Sequence, residues 1–213
     1  MDFILTPIEV RVLGCLIEKE VTTPDYYPLS ANALQNACNQ TSNRNPMVVY
    51  NETQIVGALG QLITKGFVSS AHMGRVVKYE ERFLKRLNLV RQETAILCIL
   101  MLRGQQTLGE IRSRTERFHP FESLEEAHKT IETLSGWGYV TLLPRQPGRK
   151  EARYAHLFSG PPLPEENEEE AASSKLATTA QERVVRLEAT VDALRQEVAD
   201  LKQTVADFKA QFE

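Results

Sequence analysis

The chain has 213 residues, room for one large domain or two small ones and a tail. With 42% apolar and 25% charged residues the composition is that of a globular protein, and the longest apolar run, the eight residues Ala95–Leu102, falls short of the about 20 that a membrane span takes. Asp2, Glu9 and Arg11 leave no room for a signal-peptide core, and three scattered cysteines (Cys15, Cys38, Cys98) exclude a disulfide framework, so a cytoplasmic location is expected. The net charge of −3 hides a segregation: residues 1–86 are +1, residues 87–160 are +2 and residues 161–213 are −6.

Thr6-Pro7-Ile8-Glu9 supplies an N-cap, a proline in the first turn and a glutamate three residues on, which predicts a helix from Pro7. Ser30 caps a second helix, and a third runs from about Glu52 to Lys65 and stops at Gly66. Strands at Phe67–Ala71 and Arg75–Tyr79 follow, around Met73-Gly74. The pattern then recurs. Helices start near Val90, Thr107 and Ser123, and a hairpin spans Tyr139–Leu143 and Ala152–Leu157 around Arg145-Gln-Pro-Gly-Arg149. Leu62–Val68 matches Leu134–Val140 in pattern, and Glu9–Leu16 parallels Glu93–Leu100, so the chain carries a tandem duplication. Three helices and a hairpin in about 75 residues is the winged-helix plan, a helix-turn-helix variant whose third helix enters a major groove. The expected fold class is mainly α with small β hairpins (α+β): winged-helix domains at 1–86 and 87–160, then a C-terminal coiled-coil helix.

Gly160-Pro-Pro-Leu-Pro164 stops regular structure because proline lacks the backbone donor, and Glu165–Glu170 is acidic, so residues 161–180 read as a solvated linker. In residues 181–213, Val184, Val191, Val198 and Val205 recur every seven residues, with Leu187, Leu194, Leu201 and Phe208 offset by three. β-Branched residues at a and leucine at d favour a parallel two-stranded coiled coil, hence a homodimer. Arg183 with Glu188, and Glu197 with Lys202, are complementary g-to-e pairs in that register. The competing reading is an amphipathic helix folded onto its own core, whose period would drift toward 3.6.

Arg11–Pro24 runs on through Tyr27-Pro-Leu-Ser30, followed by Ala37-Cys-Asn-Gln40, Ser42-Asn-Arg44, Leu102-Arg-Gly104, Gly109–Arg114, Pro147–Glu151, Arg153-Tyr154 and His156–Gly160. Together these motifs resemble the YceH family of bacterial proteins over residues 4–160. The resemblance implies a tandem winged-helix fold and brings no biochemical activity with it.

A winged helix reads sequence when its third helix offers polar side chains to base edges and cations to phosphates. The first domain offers Thr53, Gln54, Gln61 and Lys65 on that helix, Arg44 before it, and Arg75 and Lys78 in its wing. In the second domain Glu122, Glu125, Glu126 and Glu132 oppose Lys129 alone and would repel phosphates, whereas the wing holds Arg145, Arg149, Lys150 and Arg153, with Arg112, Arg114 and Arg117 as a second basic group. These residues point to double-stranded DNA; an acidic protein, or the chain's own Glu165–Glu170 run, suits the basic wing as well. The alternative function is a protein–protein interaction adaptor, with Tyr26-Tyr27-Pro28 and the Asn/Gln-rich stretch Ala37–Asn45 as its docking surface. No GxGxxG, P-loop, GxSxG or HExxH pattern occurs, and His72, His119, His128 and His156 are scattered. Cys15 and Cys98 sit at apolar helix positions; Cys38 alone has polar surroundings, with no base beside it. No enzymatic activity, cofactor or metal is expected.

Overall fold

The computed structural model describes residues 3–73, 76–145 and 151–162. Residues 1–162 form one compact unit of mixed α and β structure. The acidic linker from Leu163 and all eight heptad positions, Val184 to Phe208, lie outside the described residues.

The first half begins with α1 (Pro7–Thr22), where Thr6 Oγ1 accepts from Glu9 N and Glu9 Oε2 accepts from Thr6 N at 2.7 Å. α2 (Ala31–Cys38) is capped by Ser30 and α3 (Glu52–Thr64) by Asn51. Gly66, at φ 71°, turns the chain out of α3 into β1 (Val68–Met73), which pairs antiparallel with β2 (Val76–Glu81). Both strands run to later ends than the sequence pattern indicates. A five-residue helix, α4 (Phe83–Leu87), follows unannounced by the sequence: its N-cap Arg82 makes no side-chain capping bond.

The second half repeats the order. α5 (Arg91–Arg103) starts with Val90 N donating to Glu93 Oε2 at 2.8 Å, the counterpart of the Thr6–Glu9 bond. α6 (Leu108–Arg114) and α7 (Leu124–Gly136) are capped by Thr107 and Ser123. β3 (Val140–Leu142) and β4 (Tyr154–His156) form the second antiparallel hairpin, shorter than expected. An outer segment bridges each hairpin, Leu29 to Tyr79 in the first and Gln106 to Tyr154 in the second. The loop before the third helix is also pinned alike in both halves: Gln35 Nε2 donates to Tyr50 O at 3.0 Å, and Arg112 Nη2 donates to Glu122 O at 3.2 Å.

The halves are not separate globules. α1 packs on α2 and α3 of its own half and on α5 of the other. Residues 93–102 of α5 are all buried, and one continuous apolar core runs through both halves. The loop after α2 also crosses over, with Asn45 N donating to Leu102 O at 2.9 Å and Arg103 bonding Asn43. A ring cluster of Phe3, Phe67, Phe83 and Phe158 closes the far end, and Leu5 N donates to Phe158 O at 2.8 Å.

Candidate nucleic-acid interface

α3 buries Ile55, Ala58, Leu59 and Leu62 at helical spacing, which leaves the opposite side to solvent. That outer face carries Thr53, Gly57, Gly60, Gln61 and Thr64, all exposed. Gln54 is exposed but its amide is engaged, its Oε1 accepting from Asn51 N at 2.9 Å in the capping box. No Lys or Arg lies between Glu52 and Thr64. Apolar side chains flank the face instead: Val56 and Ile63 on the helix, and Met47 and Val49 ahead of it, are all exposed, Val49 to 92%.

Three sequence candidates are corrected by their burial and partners. Arg44 is buried, and its guanidinium is consumed by Glu18, Gln40 Oε1 and the carbonyls of Ala37 and Asn43. Burial works against its charge, but the Glu18 carboxylate outweighs this and raises the Arg44 pKa. Arg44 thus ties α1 to the loop before α3 and does not face a ligand. Lys65 is half-buried, pairs with Glu9 and donates to Ile4 O at 3.2 Å. Arg153 is half-buried and held by Gln105 O at 2.9 Å and Glu110 Oε2 at 3.2 Å, joining β4 to α6.

The other candidates divide simply. Thr53 and Gln61 reach solvent on α3, Lys78 is half-exposed on β2, and Arg145 is exposed after β3. Arg75, Arg149 and Lys150 lie outside the described residues. In the second half, Arg112 and Arg114 are drawn into local bonds, Arg112 to the carbonyls of Phe121 and Glu122 and Arg114 to Glu110. The outward side of α7 presents Glu125, Lys129 and Glu132, an acidic balance as the sequence indicates.

The docking stretch proposed for an adaptor is also largely turned inward. Ala37, Cys38 and Arg44 are buried, Asn39 bridges to Tyr50 and Gln40 to Arg44. Tyr27 accepts from Glu81 N at 2.6 Å through its hydroxyl, while Tyr26 is 77% exposed. Cys38, polar by its sequence neighbours, is buried because it ends α2 on the side facing α1, where Arg11 Nη1 donates to its carbonyl at 3.2 Å.

One surface was not legible beforehand. α4 exposes Arg82, Lys85 and Arg86 together, because positions i, i+3 and i+4 share a helix face. Beside it, Glu20 of α1 lies against Glu81 of β2, whose Oε2 accepts from Leu84 N at 2.8 Å. Burial first, then the neighbouring Glu81 carboxyl, raises the Glu20 pKa to about 7.

Among the described residues no group of three His, Cys, Asp or Glu is placed to hold a metal, and no helix is long and apolar enough to cross a membrane. A groove of about 400 Å³ between α6 and α7 is lined by Arg112, Ser113, Glu116, Pro120, Phe121 and Leu124, a mixed lining without a nucleophile–base pair.

The model of a family described as "Protein of unknown function, DUF480" matches residues 5–149. A UPF0502 protein of Pelobacter propionicus is 50% identical over 220 residues, covering the whole of both chains. UPF0502 proteins of Solibacter usitatus and Geobacter sulfurreducens are 47% and 46% identical, again over the whole of both chains. The motifs that resemble the YceH family, the family-model match and these full-length relatives agree, and the chain belongs to the bacterial DUF480/UPF0502 family.

Proposed function

We propose that the protein is a non-enzymatic, cytoplasmic, regulatory nucleic-acid-binding protein built from two tandem winged helices. The observation that carries this reading is the repeated order of three helices and an antiparallel hairpin, with the third helix of each half open to solvent along its outer side. The heptads at Val184–Phe208 add a coiled coil and a homodimer to the proposal, presenting two copies of the core to one duplex. Thr53 and Gln61 are the polar α3 side chains left to meet a groove, and Arg145 is an exposed cation of the second wing.

A second reading, the protein-interaction adaptor, is favoured by one specific observation. The α3 face lacks cations and is flanked by exposed Met47, Val49, Val56 and Ile63, a surface better matched to a protein than to phosphate.

Binding of the full chain to random-sequence duplex DNA, followed by fluorescence anisotropy over a salt series, separates the two. Micromolar or tighter binding that weakens steeply with salt supports the nucleic-acid reading. No binding at low salt, by the full chain or by a chain ending at Gly160, removes it and leaves the adaptor.

A further inference from the structure

We infer that the phosphate-contacting surface of the first half is a cationic ridge, Lys78, Arg82, Lys85 and Arg86, on the outer side of β2 and α4, and that α3 is not the main phosphate contact. The inference rests on the nucleic-acid reading and names the surface that serves it.

The residues fall into line for geometric reasons. Ser69 Oγ donates to Glu80 Oε1, and Arg82 Nε donates to Ser69 Oγ at 2.9 Å, so Ser69, Glu80 and Arg82 share one side of the hairpin. Strand alternation puts Lys78, two residues before Glu80, on that side as well. Arg82 then begins α4, and Lys85 and Arg86 continue the row. Four residues of strand and four of helix give a ridge of about 20 Å, the rise of roughly six base pairs.

The ridge is also ordered in advance. Arg86 Nη1 donates to Lys65 O at 2.7 Å, and the guanidinium lies 5.0 Å above the Phe67 ring. A Cβ at Gly66 would stand 2.6 Å from Arg86 Nη1, so the glycine makes room for the arginine as well as for the turn. Holding a long side chain before it meets its ligand lowers the entropy cost of binding. Glu80 pairs with Arg82, which leaves Lys78, Lys85 and Arg86 outside that ion pair, and Lys85 faces the Glu20–Glu81 pair on its inner side. The outer faces of the two third helices offer nothing comparable, one neutral and the other acidic.

The test uses the full chain, random-sequence duplex DNA and a salt series, with Lys78→Glu, Lys85→Glu and the double variant. Lys129→Glu on α7 makes the same single charge reversal away from the ridge. Each ridge reversal is expected to weaken binding several-fold and the pair at least tenfold. The slope of log affinity against log salt should fall by about 2 for the pair, one per lost phosphate contact. Lys129→Glu is expected to change affinity less than twofold. Lys78→Gln with Lys85→Gln guards against misfolding and should show the same order at smaller amplitude. If the unaltered chain binds DNA and the ridge variants bind equally well, or Lys129→Glu costs as much as they do, the ridge is overturned while the nucleic-acid reading stands. If the unaltered chain does not bind, that reading falls and the ridge with it.

Discussion

Gly14 and Cys98 stand at equivalent positions of the two repeats, and they touch each other. With Glu9–Leu16 laid on Glu93–Leu100, Gly14 falls on Cys98, and the Cys98 thiol donates to Gly14 O at 3.6 Å. α1 and α5 thus pack with equivalent positions of the two halves in contact. The crossing is close because Gly14 has no side chain: a Cβ there would stand 3.0 Å from Leu102 Cδ2 and 3.3 Å from Met101 Cβ.

Gly14→Leu is therefore expected to destabilise residues 1–162 by about 2–3 kcal/mol through overpacking, measured by urea unfolding. Gly14→Ala should cost less, because about 1 kcal/mol of helix propensity offsets the squeeze on Leu102. A Leu variant as stable as the parent chain would show that the two helices do not cross at this glycine.

Arg44→Met should cost about 3 kcal/mol, because it strands the Glu18 carboxylate, whose side chain is only 12% exposed. The loss should appear in the unfolding midpoint, with no change in the slope of any salt-dependent DNA binding under conditions where the variant is folded. A stable variant with a shallower salt slope would return Arg44 to the interface.

Stability should fall as pH rises from about 4.5 to 7. In that window the unfolded Glu20 ionises while the folded one, raised to about 7, keeps its proton. The folded state thus binds more protons, and its advantage is complete below the window and gone above pH 7. Solvent screening of a half-buried carboxyl limits the change to about 1–2 kcal/mol. Glu20→Gln should flatten the profile there and be the more stable form at pH 8, by thermal melts in matched buffers. Glu9 acts at lower pH and in the other direction. Its burial raises the pKa, but Lys65 and the Thr6 backbone more than reverse this, so the stability it gives is lost as pH falls below the ordinary carboxylate range.

Gly57 and Gly60 have open space where a Cβ would be, within a helix and exposed. Replacing each by alanine should stabilise the protein by up to about 1 kcal/mol. If the double variant is more stable yet binds its partner less well, the bare α3 face is a contact surface. Unchanged binding removes it from both functional readings.

Val191→Asp with Leu194→Asp should give a monomer by light scattering, because two charges at adjacent a and d positions are incompatible with a heptad seam. A persisting dimer would place the subunit contact elsewhere.

The caps were the most legible part of this chain. Thr6, Ser30, Thr107 and Ser123 each sit one residue before a helix, because capping chemistry is local and so is its signature. α4 is not announced in the sequence because it has five residues, and its first-turn side-chain bond comes from Glu81 at the end of β2 and not from the N-cap Arg82. Arg44 was misplaced for the opposite reason: its charge is plain in the sequence, but the partner that consumes it, Glu18, lies 26 residues away. Lys65 with Glu9, 56 residues apart, and Arg153 with Glu110, 43 apart, follow the same rule. Which cations bind outward is settled by tertiary pairing, and a single sequence does not record it.

The burial of residues 93–102 bears on whether the chain can be divided. A helix without a solvent side cannot be shared out when its neighbour is removed. A chain cut near residue 86 would bare the face of α1 that rests on α5, and the remaining piece would bare α5 itself. Either half alone would carry an uncovered apolar face. With one core running through both halves, the two are expected to unfold together in a single transition, not one after the other.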